Sequence, residues 1–178
     1  MARQELVLGG GCFWCLEASF QILKGVQQVI NGYANGSLSN PKYKDISSGT
    51  SGHAEVVKVI FDDDVIQYDD ILDVFFAIHD PTTVDRQGND VGSQYRSVIL
   101  VQNEEQEDLV YEIIDEKQEL YTEEIVTIVE DLDQFYVAEN YHQNHFRSNH
   151  TKNYCKVVIA PKVQKVHTEF ADIVDDSY

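Results

Sequence analysis

Across "ELVLGGGCFWCLEASFQIL", Glu5 to Leu23, one regular pattern stops at three glycines and another begins. Glu5–Leu8 reads as a short strand. From Cys12 onward Phe13, Leu16, Phe20 and Leu23 fall at the spacing of one helix face, and Gly25 ends the pattern. With Val26–Tyr33 as a second, weaker strand, the segment is a β-α-β unit.

The remainder repeats that logic. Ala54–Phe61, "AEVVKVIF", is β-branched and reads as a strand. Tyr68–His79 carries Ile71, Leu72, Phe75 and Ile78 at helical spacing and halts at Asp80-Pro81. Ser97–Gln102 is a strand. Glu104–Gln118 is an amphipathic helix with Leu109, Val110, Ile113 and Ile114 inward, and its acidic side reads as a solvated face. Ile125–Glu130 is a further strand, and Val157–Ile159 is expected to be a late one. Gly32 to Gly52 and Thr82 to Ser93 read as long loops, which in a compact domain are often functional. The order predicts an α+β fold: a two-layer sandwich, ferredoxin-like, with a mixed sheet, helices mainly on one face and an irregular C-terminal extension.

Composition bounds what such a chain can do. Its 178 residues suit one domain, residues 1–178, with a sizeable core. Thirteen basic against 31 acidic residues give a net charge of −18, which argues against binding a phosphate backbone. No apolar run approaches the roughly 20 residues that span a bilayer, and the N-terminus lacks the pattern of a signal peptide. No nucleic acid and no membrane are expected as partners, and the chain is expected to be a monomer. Three cysteines are too few for a disulfide scaffold, so a reducing, cytoplasmic setting is expected.

In that setting two thiols three residues apart point to redox or metal chemistry. Cys12 sits at the start of the helix, where unpaired amides and the dipole are expected to lower a thiol pKa. Cys15 lies one turn on, within about 5–6 Å and close enough for a disulfide. The pair reads as an attacking thiolate with a resolving partner. Two buried structural thiols are the plainer alternative.

Four further stretches accompany "GCFWC" at Gly11–Cys15. They are "SGTSGHAEVV" at Ser48–Val57, "HDPTT" at His79–Thr83, "GNDVGSQYRS" at Gly88–Ser97 and "FYVAENYHQNHF" at Phe135–Phe146. Together, in this order and over nearly the whole chain, they resemble the peptide methionine sulfoxide reductase A family. The resemblance implies reduction of the S epimer of methionine sulfoxide, free or in oxidised proteins, with no metal and no bound cofactor. Thioredoxin is implied as the reductant. By matching position, Cys12 would attack the sulfoxide sulfur. Glu55 would give a proton or hydrogen bond to its oxygen, helped by the hydroxyls of Tyr33 and Tyr95. Asp90 would support the pocket, and Phe13 and Trp14 would wall the substrate methyl. Oxidation of Cys12 would give a sulfenic acid, which Cys15 would condense into a disulfide.

Many relatives carry glycine where this chain has Cys15 and use C-terminal cysteines instead. Cys155 in "NYCKVV" is therefore either a second resolver or an inert core thiol. Where the family usually has consecutive glycines, this chain reads "GYANG", so Asn35 is expected in a special backbone conformation. His53 reads as a satisfied structural imidazole. Two rival functions stand beside the first. One is a thiol–disulfide oxidoreductase. The other is a zinc-stabilised module using Cys12, Cys15, Cys155 and one of His142, His145, His150 or His167.

Overall fold

In the computed structural model, which describes residues 3–149 and 151–175, the first apolar run becomes β1 (Arg3–Gly9). The Cys12 stretch becomes α1 (Phe13–Phe20), followed by β2 (Val26–Ala34). The expected 32–52 loop holds a short helix, α2 (Tyr43–Ser47), before β3 (Ala54–Asp62). Next come α3 (Tyr68–Ile78), a small ribbon of β4 (Arg86–Gln87) with β5 (Asp90–Val91), and β6 (Val98–Val101). The chain continues through α4 (Glu104–Gln118), β7 (Ile128–Asp131), β8 (Phe135–Val137), α5 (His145–Asn149) and α6 (Ala160–Glu169).

Six strands form one mixed sheet in the order β7-β6-β1-β3-β2-β8. All neighbours are antiparallel except β6 and β7. Strand alternation sorts the sheet's two faces. Leu6 and Leu8 of β1 join Leu16, Phe20, Leu72, Phe75, Val110 and Ile113 of the helices in the main core, whereas Val7 points the other way. There it meets Ala34, Ala54, Val56, Val98 and Leu100, with Leu132 and Phe135 packed over them. Phe20, Phe61 and Phe75 are fully buried, each contributing on the order of 2–3 kcal/mol through the area removed from water.

Local chemistry places the helices. Gln67 N–H donates to Asp70 Oδ2 at 3.1 Å to open α3, and Asn103 Oδ1 accepts from Gln106 N at 2.8 Å to cap α4. Glu104, Glu105 and Glu107 sit at the positive end of the α4 dipole. At its other end Lys117 reaches Asp73 of α3 at 2.8 Å. Asn35 does take the left-handed conformation, with φ 61°.

Val157–Ile159 is not a strand. The segment Cys155–Ile159 is a π-helical turn that runs directly into α6. Cys155, Ile159 and Val166 are buried, with Val163 packed alongside, at intervals of four, four and three residues. That is a helical stripe. A three-residue apolar run fits either period, and the longer stripe crosses Pro161, which the first turn of a helix tolerates. The last third of the chain is thus more helical than expected.

Candidate active site

Two glycines bring the Cys12 backbone where it must go. A Cβ on Gly9 would lie 2.9 Å from the Glu55 carbonyl oxygen and 2.8 Å from Val98 Cγ1, so only glycine lets β1 end flush against its neighbours. Gly11 has φ +85°, a turn that L side chains resist, and its N–H donates to the Tyr95 carbonyl at 3.1 Å. The 3-10 turn Ser93–Tyr95 is thereby held beside Cys12, the N-cap residue of α1.

The first free amide of α1 does not serve the thiol. Phe13 N–H donates to Glu55 Oε1 at 3.2 Å, which locks a buried carboxyl (2% exposed) next to Cys12. Burial, with a smaller push from the Asp90 charge, raises Glu55 to about 8 against the pull of that amide. The Cys12 thiol is itself pushed well up, first by burial, then by the Glu55 charge and by Cys15. This reverses the expectation of an acidic thiol. Desolvation outweighs the end of an eight-residue helix even though the Trp14 amide bonds the thiol and eases it down. At neutral pH the resting site therefore holds both protons, on sulfur and on carboxyl, and the protonated Glu55 no longer repels a thiolate.

Aromatic rings enclose this pair. Phe13 is fully buried between Tyr33 and His142, with centroids at 5.7 and 5.2 Å. Trp14 is half-buried. Its indole N–H donates to His142 Nδ1 at 3.1 Å, and its face lies flat on His145 at 3.6 Å and 5°. His142 Nε2 is buried and has no hydrogen-bond partner among the described residues.

Tyr33 stands opposite Glu55 across β2 and β3, but its hydroxyl donates to Glu139 Oε1 at 2.8 Å. Glu139 also accepts Tyr43 N–H and the Tyr141 hydroxyl. Burial works against its charge, yet these bonds hold its carboxyl below the usual range. Tyr43 and Tyr95 are the phenols that feel the charges of Glu55, Asp90 and Cys12, and each is pushed up by burial first and then by Glu55. Asp90, on the ribbon, accepts from the Tyr154 hydroxyl at 3.2 Å. That hydroxyl also interacts with both Cys12 and Cys15 and eases each thiol down.

Residues 4–173 match the family described as peptide methionine sulfoxide reductase. The chain belongs to this family. It is 51% identical to the peptide methionine sulfoxide reductase MsrA of Leptospira borgpetersenii serovar Hardjo-bovis over 162 residues, 91% of this chain and 92% of that one. It is similar in structure to Mxr1 of Saccharomyces cerevisiae in reduced form. The TM-score is 0.82 at 34% identity, over 86% of this chain and 89% of that chain. Mxr1 in complex with Trx2 matches with TM-score 0.58 at 25% identity, over 80% and 84% of the two chains.

In this reductase all three cysteines are free. Cys15 is buried in a small cluster with Ala18, Cys155 and Ile159, and Cys12 packs against its edge. Cys15 N–H donates to the Cys12 carbonyl at 3.1 Å. Cys155 Sγ lies 3.7 Å from His145 Nδ1. A cavity of about 1200 Å³ reaches both Cys12 and Cys15 and is lined there by Asp90, Tyr154 and Lys162. Among the described residues, the grouping of His, Cys and acidic ligand atoms with metal-binding spacing is Asp62, Asp63 and Asp64, where β3 gives way to the next turn. It contains none of the residues of the zinc alternative, of which His150 lies outside the described residues. His53 accepts Gly36 N–H on Nδ1 at 3.0 Å and donates from Nε2 to the Leu38 carbonyl at 2.6 Å, a satisfied structural imidazole. Among the described residues no helix is long and apolar enough to cross a membrane.

The structure adds Tyr43, Glu139 and Tyr154 to the residues the sequence pointed to, and sets His142 and His145, named there only as metal ligands, against Phe13 and Trp14. Glu139, His142, His145 and Tyr154 lie in or beside the stretch "FYVAENYHQNHF" and the "NYC" triplet. Both were visible as motifs, with no period to say which side chains turn inward. Tyr43 was hidden in a loop-like composition that folds as α2.

Proposed function

We propose that this reductase takes the oxygen from the S epimer of methionine sulfoxide, free or within oxidised proteins, through Cys12. One observation carries the mechanism: Cys12 and a neutral, buried Glu55 are held side by side by the Phe13 amide. The Cys12 sulfur attacks the sulfoxide sulfur while Glu55 gives its proton to the oxygen, whose departure needs that charge neutralised. The net change breaks the substrate S–O bond, forms an S–O bond on Cys12 and releases methionine. Substrate sulfur gains two electrons, Cys12 sulfur loses two, and the thiol proton ends on the sulfenic oxygen, so Glu55 is restored. Tyr95 and Tyr43 flank the same oxygen as hydroxyl donors. Tyr33, its proton committed to Glu139, is assigned to bracing Phe13 and the Tyr43 backbone.

Phe13 and Trp14 form the apolar wall for the terminal methyl. Opposite walls of unlike chemistry, rings against acid donors, are what separates one epimer from the other. The supporting experiment offers each pure epimer with dithiothreitol and follows methionine by chromatography. Consumption of the S form alone is expected, and equal consumption of both would overturn the assigned walls.

Cys15 then attacks the sulfenic sulfur, the S–O bond breaks, and water leaves as the disulfide forms. Tyr154, placed between the two thiols and Asp90, is suited to move the proton that makes that water. Thioredoxin reopens the disulfide, a reading supported by the Mxr1 complex with Trx2. Cys15→Ser is expected to release one methionine per chain and then cycle at least about tenfold more slowly with thioredoxin, because Cys15 is the thiol one helical turn from Cys12, its N–H bonded to the Cys12 carbonyl. Unchanged cycling would make Cys155 the resolver.

The frame is read as ferredoxin-like and two-layered, in one catalytic domain. The run β1-α1-β2-β3-α3-β6 with strand order β6-β1-β3-β2 supports it.

A further inference from the structure

Glu17 is a carboxylate that the mechanism above does not use, and it is 1% exposed. It lies one turn after Trp14 on α1. Its Oε2 accepts Asn144 N–H at 2.8 Å and its Oε1 accepts His145 N–H at 3.1 Å. Gln21, one further turn along the same face, donates to Asn144 Oδ1 at 2.6 Å. Asn144 is held in a left-handed conformation, φ 54°, so the chain bends sharply there before α5 begins. The residue delivered by that bend is His145, whose ring lies flat on Trp14. The neighbouring segment has its own anchor in Asn31, which donates from its side chain to the His142 carbonyl while Gln143 bonds back to it; the same Asn31 side chain also bonds Glu17. The direct grip of Glu17 on the backbone is at the start of α5.

We propose that Glu17 is a positioning residue for the reduction: it clamps the opening of α5 so that the His145 imidazole fixes the Trp14 indole as the wall for the substrate methyl. The inference rests on the reading of Trp14 as that wall. A glutamine here keeps the shape but turns an N–H₂ toward one of two backbone N–H donors, so one of the two grips is lost.

Trp14 is the only tryptophan in the chain, so its emission reports the stack directly. In Glu17→Gln, Trp14 emission is expected to rise as the quenching imidazole lifts away. Sulfoxide KM in dithiothreitol-driven turnover is expected to rise at least about fivefold with kcat changed less than about twofold, the signature of lost binding and not of lost chemistry. His145→Ala, at a half-exposed position, should give the same emission and the same KM, and adding Glu17→Gln to it should change neither further. This second variant decides the matter if Glu17→Gln does not fold. Unchanged emission in either folded variant would overturn the clamp. Changed emission with unchanged KM would overturn it too, and would put the fault in the reading of Trp14 as substrate wall.

Discussion

Methionine formation is expected to vanish in Cys12→Ser, with a loss of at least about ten-thousand-fold in dithiothreitol-driven turnover. The reason is specific to this site. Burial already pushes the Cys12 thiol up, and a hydroxyl in the same place starts far higher and cannot accept the oxygen as a stable sulfenic acid. Cys15 is not a substitute, because it sits a turn deeper in its own cluster, away from the amide that holds Glu55. The check is chromatographic detection of methionine beside a melting curve. The fold should be unchanged, since Cys12 is only half-buried. Turnover in the variant would assign a different nucleophile.

Glu55→Gln should lower the single-turnover rate by about 100-fold to 10,000-fold, the range for loss of a general acid. Glutamine still accepts the Phe13 amide, so geometry is retained while the proton is lost. The pH profile separates the two. With its carboxyl at about 8, the native enzyme should lose sulfoxide reduction as pH rises through that value. The variant should show no such fall, and a persistent limb near 8 would assign it to another group.

The same group predicts a change in stability with a definite sign. Its folded pKa, about 8, lies above the unfolded value of 4.5, so the folded chain binds the proton more tightly. The stabilisation is complete below about 4.5 and fades as pH climbs to about 8, by up to about 1.4 kcal/mol per unit. Denaturant melts at pH 5 and 8 should therefore converge for Glu55→Gln and diverge for the native chain, with the variant more stable at pH 8 by on the order of 3 kcal/mol. Parallel curves would show that the carboxyl is ionised in the folded state.

The sequence by itself determined the first two-thirds of the fold. Strand alternation in Glu5–Leu8 and Ala54–Phe61, and helix spacing in Tyr68–His79 and Glu104–Gln118, are local periodicities that burial merely enforces. It singled out Cys12 by the glycine run, the helix start and the spacing to Cys15, whereas Glu55, Tyr95 and Asp90 stood out only through the resemblance of their motifs to the family. The tertiary structure alone decided what those groups experience. Helix-end reasoning predicted an acidic Cys12, but desolvation by the surrounding fold reverses it. A local pattern cannot register burial by groups that arrive from other strands. For the same reason, only the fold turned the Tyr33 hydroxyl to Glu139, brought Tyr43 close to Glu55 and Cys12, turned Val157–Ile159 from strand to helix, and laid His145 on Trp14. Hydroxyl partners, ring stacking and the choice between two periods over three residues are all settled by long-range packing, which carries no trace in residue order.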